Sequence, residues 1–197
     1  MKSLIALILI WSASTLLALP SHIQLCLDCH GPEGVSQHKD IPTIAGASPV
    51  FIEETFAAYL YDMRAEVKSK FRFGDTSRKE TSMKKLSKEL SEDQVAEAAA
   101  YFAKLPYKAV AQPFDAEKAK VGAAIHEERC ERCHRDGGKS PADDASILAG
   151  QYTEYLKSAM VMIKKGKRDI DEEMNRTIKK LTDEEWEALL QYYASQQ

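Results

Sequence analysis

The sequence lacks a strong excess of charge, a long internal hydrophobic run and any convincing alternating pattern of the kind that predicts β-strands. Its 197 residues include 27 Lys and Arg against 30 Asp and Glu. This near-balance argues against a disordered chain and against a general polyanion binder. The sequence also contains no Gly-rich phosphate loop, no flavin motif and no nucleophile–base pair. We therefore expect an all-α protein without catalytic residues of its own, so that any catalysis takes place in a partner.

The one marked hydrophobic run lies at the N-terminus, where Lys2 is followed by LIALILIW and then by small and apolar residues. This layout is typical of a secretory signal peptide. The run is short for a transmembrane helix, which needs about 20 apolar residues, so retention as a membrane anchor is the less favoured alternative. We predict that residues 1–20 are removed and that the mature chain is exported without a permanent membrane anchor. Its charge is then 26 Lys and Arg against 30 Asp and Glu, a net of −4.

Cysteine is scarce, and the four cysteines form two C-x-x-C-H motifs, at 26–30 and 130–134, separated by 104 residues. Other positions up to 46 and 150 also repeat at this offset of 104, but from Met83 and Met174 onward the offset is 91. The first half therefore contains 13 more residues than the second between its Gly46 and its Met83. Two copies of one ~80-residue unit explain the pattern. The matched positions include 44–46 with 148–150, Met83 with Met174, and 101–103 with 192–194.

The repeat divides the mature chain into a first domain at 21–106, a linker at 107–116 and a second domain at 117–197. The linker contains Pro113 and few periodic apolar positions. Each domain should end in a helix that begins at Ser91 or Thr182, because a hydroxyl followed by acidic residues is typical of a helix N-terminus. Residues 116–130 are also predicted to be helical. The predicted buried faces are Val95, Ala98, Ala99 and Phe102; Trp186, Leu189, Leu190 and Tyr193; and Val121, Ala124, Ile125 and Cys130.

The C-x-x-C-H motif is the signature of covalent haem attachment. Two thiols one helical turn apart can reach the two vinyl groups of a haem, and the histidine directly behind them can bind the iron. We therefore predict two haem c groups, attached at Cys26 and Cys29 and at Cys130 and Cys133, with His30 and His134 as proximal ligands. The alternatives are a zinc site, a thioredoxin-like redox pair and two structural disulfides. They fit less well because the pairs are far apart, no βαβ pattern is present, and a C-x-x-C disulfide closes only a tiny loop.

The second axial ligand of each iron is predicted to be a methionine. Of the six methionines only Met83 and Met174 coincide between the copies, and each precedes the last helix of its unit in a charged stretch that could form a loop over the haem. Met63, Met160 and Met162 are interpreted as core residues. The remaining histidines, His22, His38 and His126, are interpreted as structural or exposed.

The layout of CxxCH, Ile-Ala-Gly, Met, Leu-Ser-Glu-Asp and Tyr-Phe-Ala, present twice, resembles the dihaem cytochromes c of the cytochrome c4 family over nearly the whole mature chain. Within that family the second half looks most like the cytochrome subunit of flavocytochrome c sulfide dehydrogenase. The stretches that carry this likeness are CERCH at 130–134, DGGK at 136–139, ILAGQ at 147–151 and YASQQ at 193–197.

The resemblance implies two class I cytochrome c folds, paired haems, a periplasmic location and an FAD-containing flavoprotein partner that oxidises sulfide. The alternatives are a free cytochrome c4-like electron shuttle that serves a terminal oxidase or another dehydrogenase, and a haem enzyme such as a peroxidase. Two features depart from the family pattern. After removal of the signal peptide little chain precedes Cys26, so the first N-terminal helix should be short or missing. The stretch 68–79 is basic and longer than its counterpart in the second half.

Overall fold

The computed structural model describes residues 19–142 and 144–197, so most of the predicted signal peptide lies outside the described residues. Within these ranges the chain is helical, with two isolated antiparallel bridges and no strand. No helix in the described ranges is long and apolar enough to cross a membrane. The helices are α1 (Ser21–His30), α2 (Pro49–Leu60), α3 (Met83–Glu89), α4 (Glu92–Ala103), α5 (Ala116–Arg129), α6 (Arg135–Gly138), α7 (Thr153–Lys164), α8 (Glu172–Ile178) and α9 (Asp183–Ser195), with a short 3-10 helix at Pro32–Gly34.

The two halves have the same helix order, which confirms the internal repeat at the level of structure. α4 packs against α1 and α2 in the first half, and α9 packs against α5 and α7 in the second. The same backbone hydrogen bonds also recur. Gly46 N–H donates to Phe102 O at 2.9 Å, and Gly150 N–H donates to Tyr193 O at 2.7 Å.

The last helix of each half begins where the sequence predicts. Ser91 forms a capping box with Gln94, and Thr182 forms one with Glu185, so orphan N–H groups are satisfied at both helix starts. The predicted face of α4 is buried throughout, whereas on α9 Trp186 is only half-buried. The two helices bury Val95, Ala98, Ala99 and Phe102, and Ala188, Leu189, Leu190, Tyr193 and Ala194.

The buried face of α5 differs from the predicted one. Ile125 is buried as expected, but Val121 is 56% exposed and Ala124 is also exposed. Ala119, Gly122 and His126 are buried in their place. The reason is the close crossing with α9, since a Cβ built on Gly122 would lie 2.1 Å from the carbonyl oxygen of Ala188. Helix α1, by contrast, has only 10 residues, as the short chain before Cys26 predicts.

The halves meet through backbone hydrogen bonds between equivalent residues. Arg64 and Arg168, which lie 104 positions apart, form an antiparallel bridge. Ala65 N–H donates to Lys167 O, and Asp169 N–H donates to Met63 O, each at 2.8 Å. An antiparallel bridge between repeat-related residues is the local arrangement that a pseudo-two-fold axis requires.

A buried amide side chain provides a second contact between the halves. Thr43 N–H donates to Oε1 of Gln151 at 3.0 Å, and Nε2 of Gln151 donates to Thr43 O at 2.7 Å. Both residues are 4% exposed. The side chain of Gln151 therefore satisfies both backbone polar groups of a residue in the other half.

Candidate haem sites

The four cysteines are free thiols in the structure, which does not form the disulfides considered as an alternative. Cys26 and Cys29 lie on the last turns of α1 and are buried, whereas Cys130 and Cys133 lie just beyond α5, half-buried and exposed respectively. Burial raises the pKa of the Cys26 thiol to about 12 and also raises the pKa of Cys29 and Cys130. Burial therefore disfavours the charged thiolate at these three positions.

The two motif histidines have matching surroundings. Nδ1 of His30 lies 2.8 Å from Pro42 O, and Nδ1 of His134 lies 3.0 Å from Ser146 O; both histidines are 8% exposed. A carbonyl oxygen only accepts, so Nδ1 carries the proton in each ring and the lone pair is on Nε2, as a metal ligand requires. Burial lowers the pKa of His30, which favours the neutral form that binds iron.

The two matched methionines occupy similar places, but in short helices rather than in loops. Met83 is the first residue of α3, and Met174 is the third residue of α8, whose N-terminus is capped by Asp171. Both side chains are half-buried, and Met83 packs against the core of the first half. Of the methionines interpreted as core, Met160 is buried and Met162 half-buried, but Met63 is 41% exposed, so its interpretation as a core residue is wrong.

Two of the histidines interpreted from the sequence as structural or exposed form a matched pair in the repeat. His22 and His126 lie 104 positions apart, each four residues before the first motif cysteine, and both are buried. Nδ1 of His126 lies 3.0 Å from the hydroxyl of Tyr193, and its Nε2 lies 2.7 Å from Oε2 of Glu131. The repeat offset was the signal that could have identified this pair.

The counterpart contacts in the first half are looser. Nε2 of His22 lies 3.1 Å from Oε2 of Glu97, within ion-pair distance but off the angle needed for a hydrogen bond. His38 is half-buried and meets the ring of Phe73 edge-on at 5.7 Å. The three histidines thus have structural contacts, as the sequence predicted.

Two half-buried arginines at the junction of the halves, Arg64 and Arg168, test whether the chain fits haem. Nε of Arg168 is buried and has no hydrogen-bond partner among the described residues, and neither Arg64 nor Arg168 has a carboxylate partner in the part of the chain that the structure describes. Burial and the neighbouring Arg168 lower the pKa of Arg64. Burial alone would raise the pKa of Tyr155, but the two arginines lower it. A haem carries two propionate carboxylates, so this cationic pair fits that group.

Comparisons with known proteins find cytochromes and an electron-acceptor protein that are similar to this chain. Residues 117–192 match the family described as "Cytochrome C oxidase, cbb3-type, subunit III". The thiosulfate dehydrogenase electron acceptor of Thiomonas intermedia is 25% identical over 95% of this chain and 86% of that protein. Cytochrome c4 of Pseudomonas aeruginosa is 38% identical over 82 residues, which are 42% of this chain and 38% of that protein.

A solved structure shares the whole architecture. The cytochrome c4 of Acidithiobacillus ferrooxidans superposes with a TM-score of 0.70 over 89% of this chain and 99% of that chain, at 22% identity. The chain therefore has two tandem class I cytochrome c domains. The sequence matches and this fold make the chain similar to cytochrome c4 and to the electron acceptor of a thiosulfate dehydrogenase.

Proposed function

We propose that this protein is a periplasmic dihaem c-type cytochrome that accepts electrons from a sulfur-oxidising dehydrogenase. The observation that carries the proposal is the matched pair of C-x-x-C-H motifs, in which a backbone carbonyl 12 residues beyond each histidine holds that histidine in the same tautomer. The predicted domains, at 21–106 and 117–197 with a linker at 107–116, each contain one such motif.

The residues of each site have separate roles. Cys26 and Cys29, with Cys130 and Cys133, would attach two haems covalently. His30 and His134 would be the proximal ligands of the iron, with Met83 and Met174 opposite them. When bound, haem iron supplies one-electron transfer between its ferric and ferrous states. The protein fixes the ring orientation of the histidines through Pro42 O and Ser146 O, and burial of these rings excludes water.

Two sulfur compounds are candidates for oxidation by the partner. The resemblance of the second half favours an FAD-containing sulfide dehydrogenase flavoprotein, whereas the relative that covers 95% of the chain is an electron acceptor of thiosulfate dehydrogenase. A free cytochrome c4-like shuttle is the second candidate function, supported by the likeness to cytochrome c4 over almost the full chain. These candidates differ in whether a permanent enzyme partner exists.

Purification of the native protein under gentle conditions tests the proposal. Mass and visible spectrum are recorded together on the same fractions. Two covalent haems with a co-eluting flavin-containing chain support the sulfide dehydrogenase subunit, and a co-eluting chain with sulfide-independent, thiosulfate-dependent reduction supports a thiosulfate enzyme. A lone chain or homodimer with two haems supports the free shuttle. A preparation without covalent haem contradicts all three.

Replacing both Cys130 and Cys133 by alanine should halve the covalent haem. Each thiol pair would attach one group, so the first site should keep its haem when the second loses it. The pyridine haemochrome spectrum of the purified variant measures haem per chain. The double variant Cys26→Ala/Cys29→Ala is the matched control and should give the same half content; a content of two in either variant contradicts the attachment sites.

A further inference from the structure

We propose that residues 71–78, here called the cover, close the cysteine edge of the first haem site to redox partners, and that partners dock instead around the exposed Cys133 of the second site. This inference rests on the proposed function, because it concerns access to the two predicted haem sites. It assigns unequal roles to two halves that share one fold.

The cover lies within the segment 66–82, where the first half is 13 residues longer than the second. In the repeat, Ala65 is equivalent to Asp169 next to the Arg64–Arg168 bridge, and Met83 is equivalent to Met174. The 17 residues 66–82 of the first half therefore stand where the second half has only the four residues 170–173. Ser69 and Thr81 pair at the base of this segment, with N–H to O distances of 2.8 and 2.9 Å. The extra chain is therefore an ordered excursion whose two ends are held together.

The tip of this excursion is attached to the first C-x-x-C-H motif. The N–H groups of Arg72 and Phe73 donate to the carbonyl oxygen of Asp28 at 2.8 and 2.9 Å. Asp28 stands between Cys26 and Cys29, so these bonds fix the cover directly on the turn of α1 that carries the two thiols.

Side chains reinforce the attachment. The carboxylate of Asp28 is 5% exposed and forms an ion pair with the guanidinium of Arg78. That guanidinium also stacks on Phe71, with its Cζ 3.6 Å from the ring centroid, and Phe71 is 7% exposed. Gly74 passes so close that a Cβ there would lie 2.9 Å from Oδ1 of Asp28. A buried, paired carboxylate is costly to uncover, so the cover should stay closed in the folded protein.

The second half is open at the equivalent place. Cys26 and Cys29 are 6% and 8% exposed, whereas Cys133 is exposed. The residue equivalent to Asp28 is Arg132, whose side chain is 72% exposed and pairs with Glu173 on the surface. The opposite charge at this position, together with the absence of the extra residues, leaves the second edge without a cover among the residues that the structure describes.

This asymmetry identifies the surface that a partner can use. The rate of electron transfer between proteins falls steeply with the distance between the two cofactor edges, so a partner reacts fastest where the least polypeptide intervenes. The exposed rim around Cys133 carries both signs of charge, on Arg132 and Glu173, which suits a redox protein that docks transiently through a small, mixed-charge face around its own cofactor.

The test measures solvent access to each haem in the intact, oxidised holoprotein. Low-spin ferric haems give hyperfine-shifted methyl resonances in proton NMR, which nuclear Overhauser contacts assign to each half. A neutral gadolinium chelate is then added, and the broadening of each methyl resonance is measured. We expect the methyl resonances of the second haem to broaden several-fold more than those of the first. Equal broadening, or stronger broadening at the first haem, overturns the proposal.

Variants link the difference to the cover. Arg78→Gln and Asp28→Asn each remove the ion pair. Each should raise the broadening of the first haem's methyl resonances toward that of the second. Each should also reduce the protection of the Phe73 amide against hydrogen exchange. Glu173→Gln, which breaks the surface pair in the second half, is the matched control and should change neither. Unchanged broadening at the first haem, despite lost protection at Phe73, would show that the cover does not limit access.

Haem content, measured first on the same sample, separates two kinds of failure. If fewer than two covalent haems are present, the proposed function fails and the cover has no site to close. If both haems are present and their methyl resonances broaden equally, only the cover is wrong.

Discussion

At the scale of single residues, each half holds its motif histidine by the same means. Pro42 and Ser146 are unrelated side chains, yet both present a backbone carbonyl to Nδ1 at hydrogen-bond distance. The repeated feature is the position of a backbone carbonyl. Because every residue has such a carbonyl, the residue type at this position can change without loss of the hydrogen bond. The matched pair His22 and His126, by contrast, keeps its residue type while its acidic neighbour differs, Glu97 in one half and Glu131 in the other.

Replacing Met83 or Met174 by alanine should open one iron to an external ligand. Alanine has no group that can bind iron, so the reduced variant should bind carbon monoxide at one of its two haems. The visible spectrum before and after exposure to carbon monoxide measures this binding. Met160→Ala, in the buried core, is the control and should not bind carbon monoxide. The ligand assignment is wrong if neither Met83→Ala nor Met174→Ala binds it.

At the scale of elements, the crossing of α5 and α9 depends on one glycine. Gly122 allows the backbones to approach until a Cβ would lie 2.1 Å from Ala188 O and 2.8 Å from the Cβ of Tyr192. The first half has no equivalent long helix before its motif, because α1 begins at Ser21. The two halves therefore stabilise the same arrangement by different means, a close helix crossing in one and the 66–82 excursion over α1 in the other.

Gly122→Ala should destabilise the protein. In an exposed helix this change would stabilise by about 1 kcal/mol. Here the added methyl forces α5 and α9 apart, and overpacking of this kind costs about 1–3 kcal/mol. Urea denaturation of the holoprotein, followed by circular dichroism, measures the change. Gly166→Ala serves for comparison because nothing lies within 4 Å of its Cβ and only the strain of its positive φ should appear. A stabilised Gly122→Ala variant would contradict the close crossing.

At the scale of the whole molecule, the two halves form a pseudo-symmetric pair. The bridge between Arg64 and Arg168 joins equivalent residues of the two halves. The two hydrogen bonds between the side chain of Gln151 and the backbone of Thr43, here called the clamp, join non-equivalent residues and so exist only once. The same junction holds two half-buried like charges next to Tyr155. An anion beside them would offset their mutual repulsion, and haem propionates would supply that anion.

Gln151→Ala should weaken the junction of the halves. It leaves the buried N–H and C=O of Thr43 without partners, which costs about 1–3 kcal/mol for each group. Denaturant unfolding should show a lower midpoint, or two transitions where the wild type shows one. Gln37→Ala, at an exposed position, is the matched control and should leave the curve unchanged. A wild-type curve for Gln151→Ala would mean that the clamp does not couple the halves.

Arg64→Gln and Arg168→Gln should each lower a haem reduction potential. The oxidised iron carries one more positive charge than the reduced iron, so a nearby cation favours reduction. Loss of one unit charge about 8–20 Å away, at an effective dielectric constant of about 20, corresponds to roughly 40–90 mV. Spectroelectrochemical titration measures both potentials. Lys120→Gln removes an exposed charge and should have little effect. Unchanged potentials in both arginine variants would place the pair away from the haems.

The sequence by itself determined the repeat, the positions of the motif cysteines and histidines, and the capping and buried face of α4. The motif and the helix cap depend on local spacing, which is visible in the chain: the two cysteines of C-x-x-C-H lie one helical turn apart, and Ser91 caps the helix that follows it directly. The signal peptide, the domain limits, the iron ligands and the sulfide partner also came from spacing and resemblance, and they stay predictions.

Only the tertiary structure decided which face of α5 is buried, how the halves meet, and where the extra residues of the first half lie. The apolar periodicity predicted that Val121 is buried. Instead α9 packs on the face of α5 that contains Gly122, because only that face allows the two helix backbones to approach closely. The basic stretch 68–79 had the composition of a solvated loop, yet Arg78 reaches Asp28, fifty positions away in sequence. Such long-range contacts leave no periodic signal, because both partners are single residues whose meeting depends on the path of the chain between them.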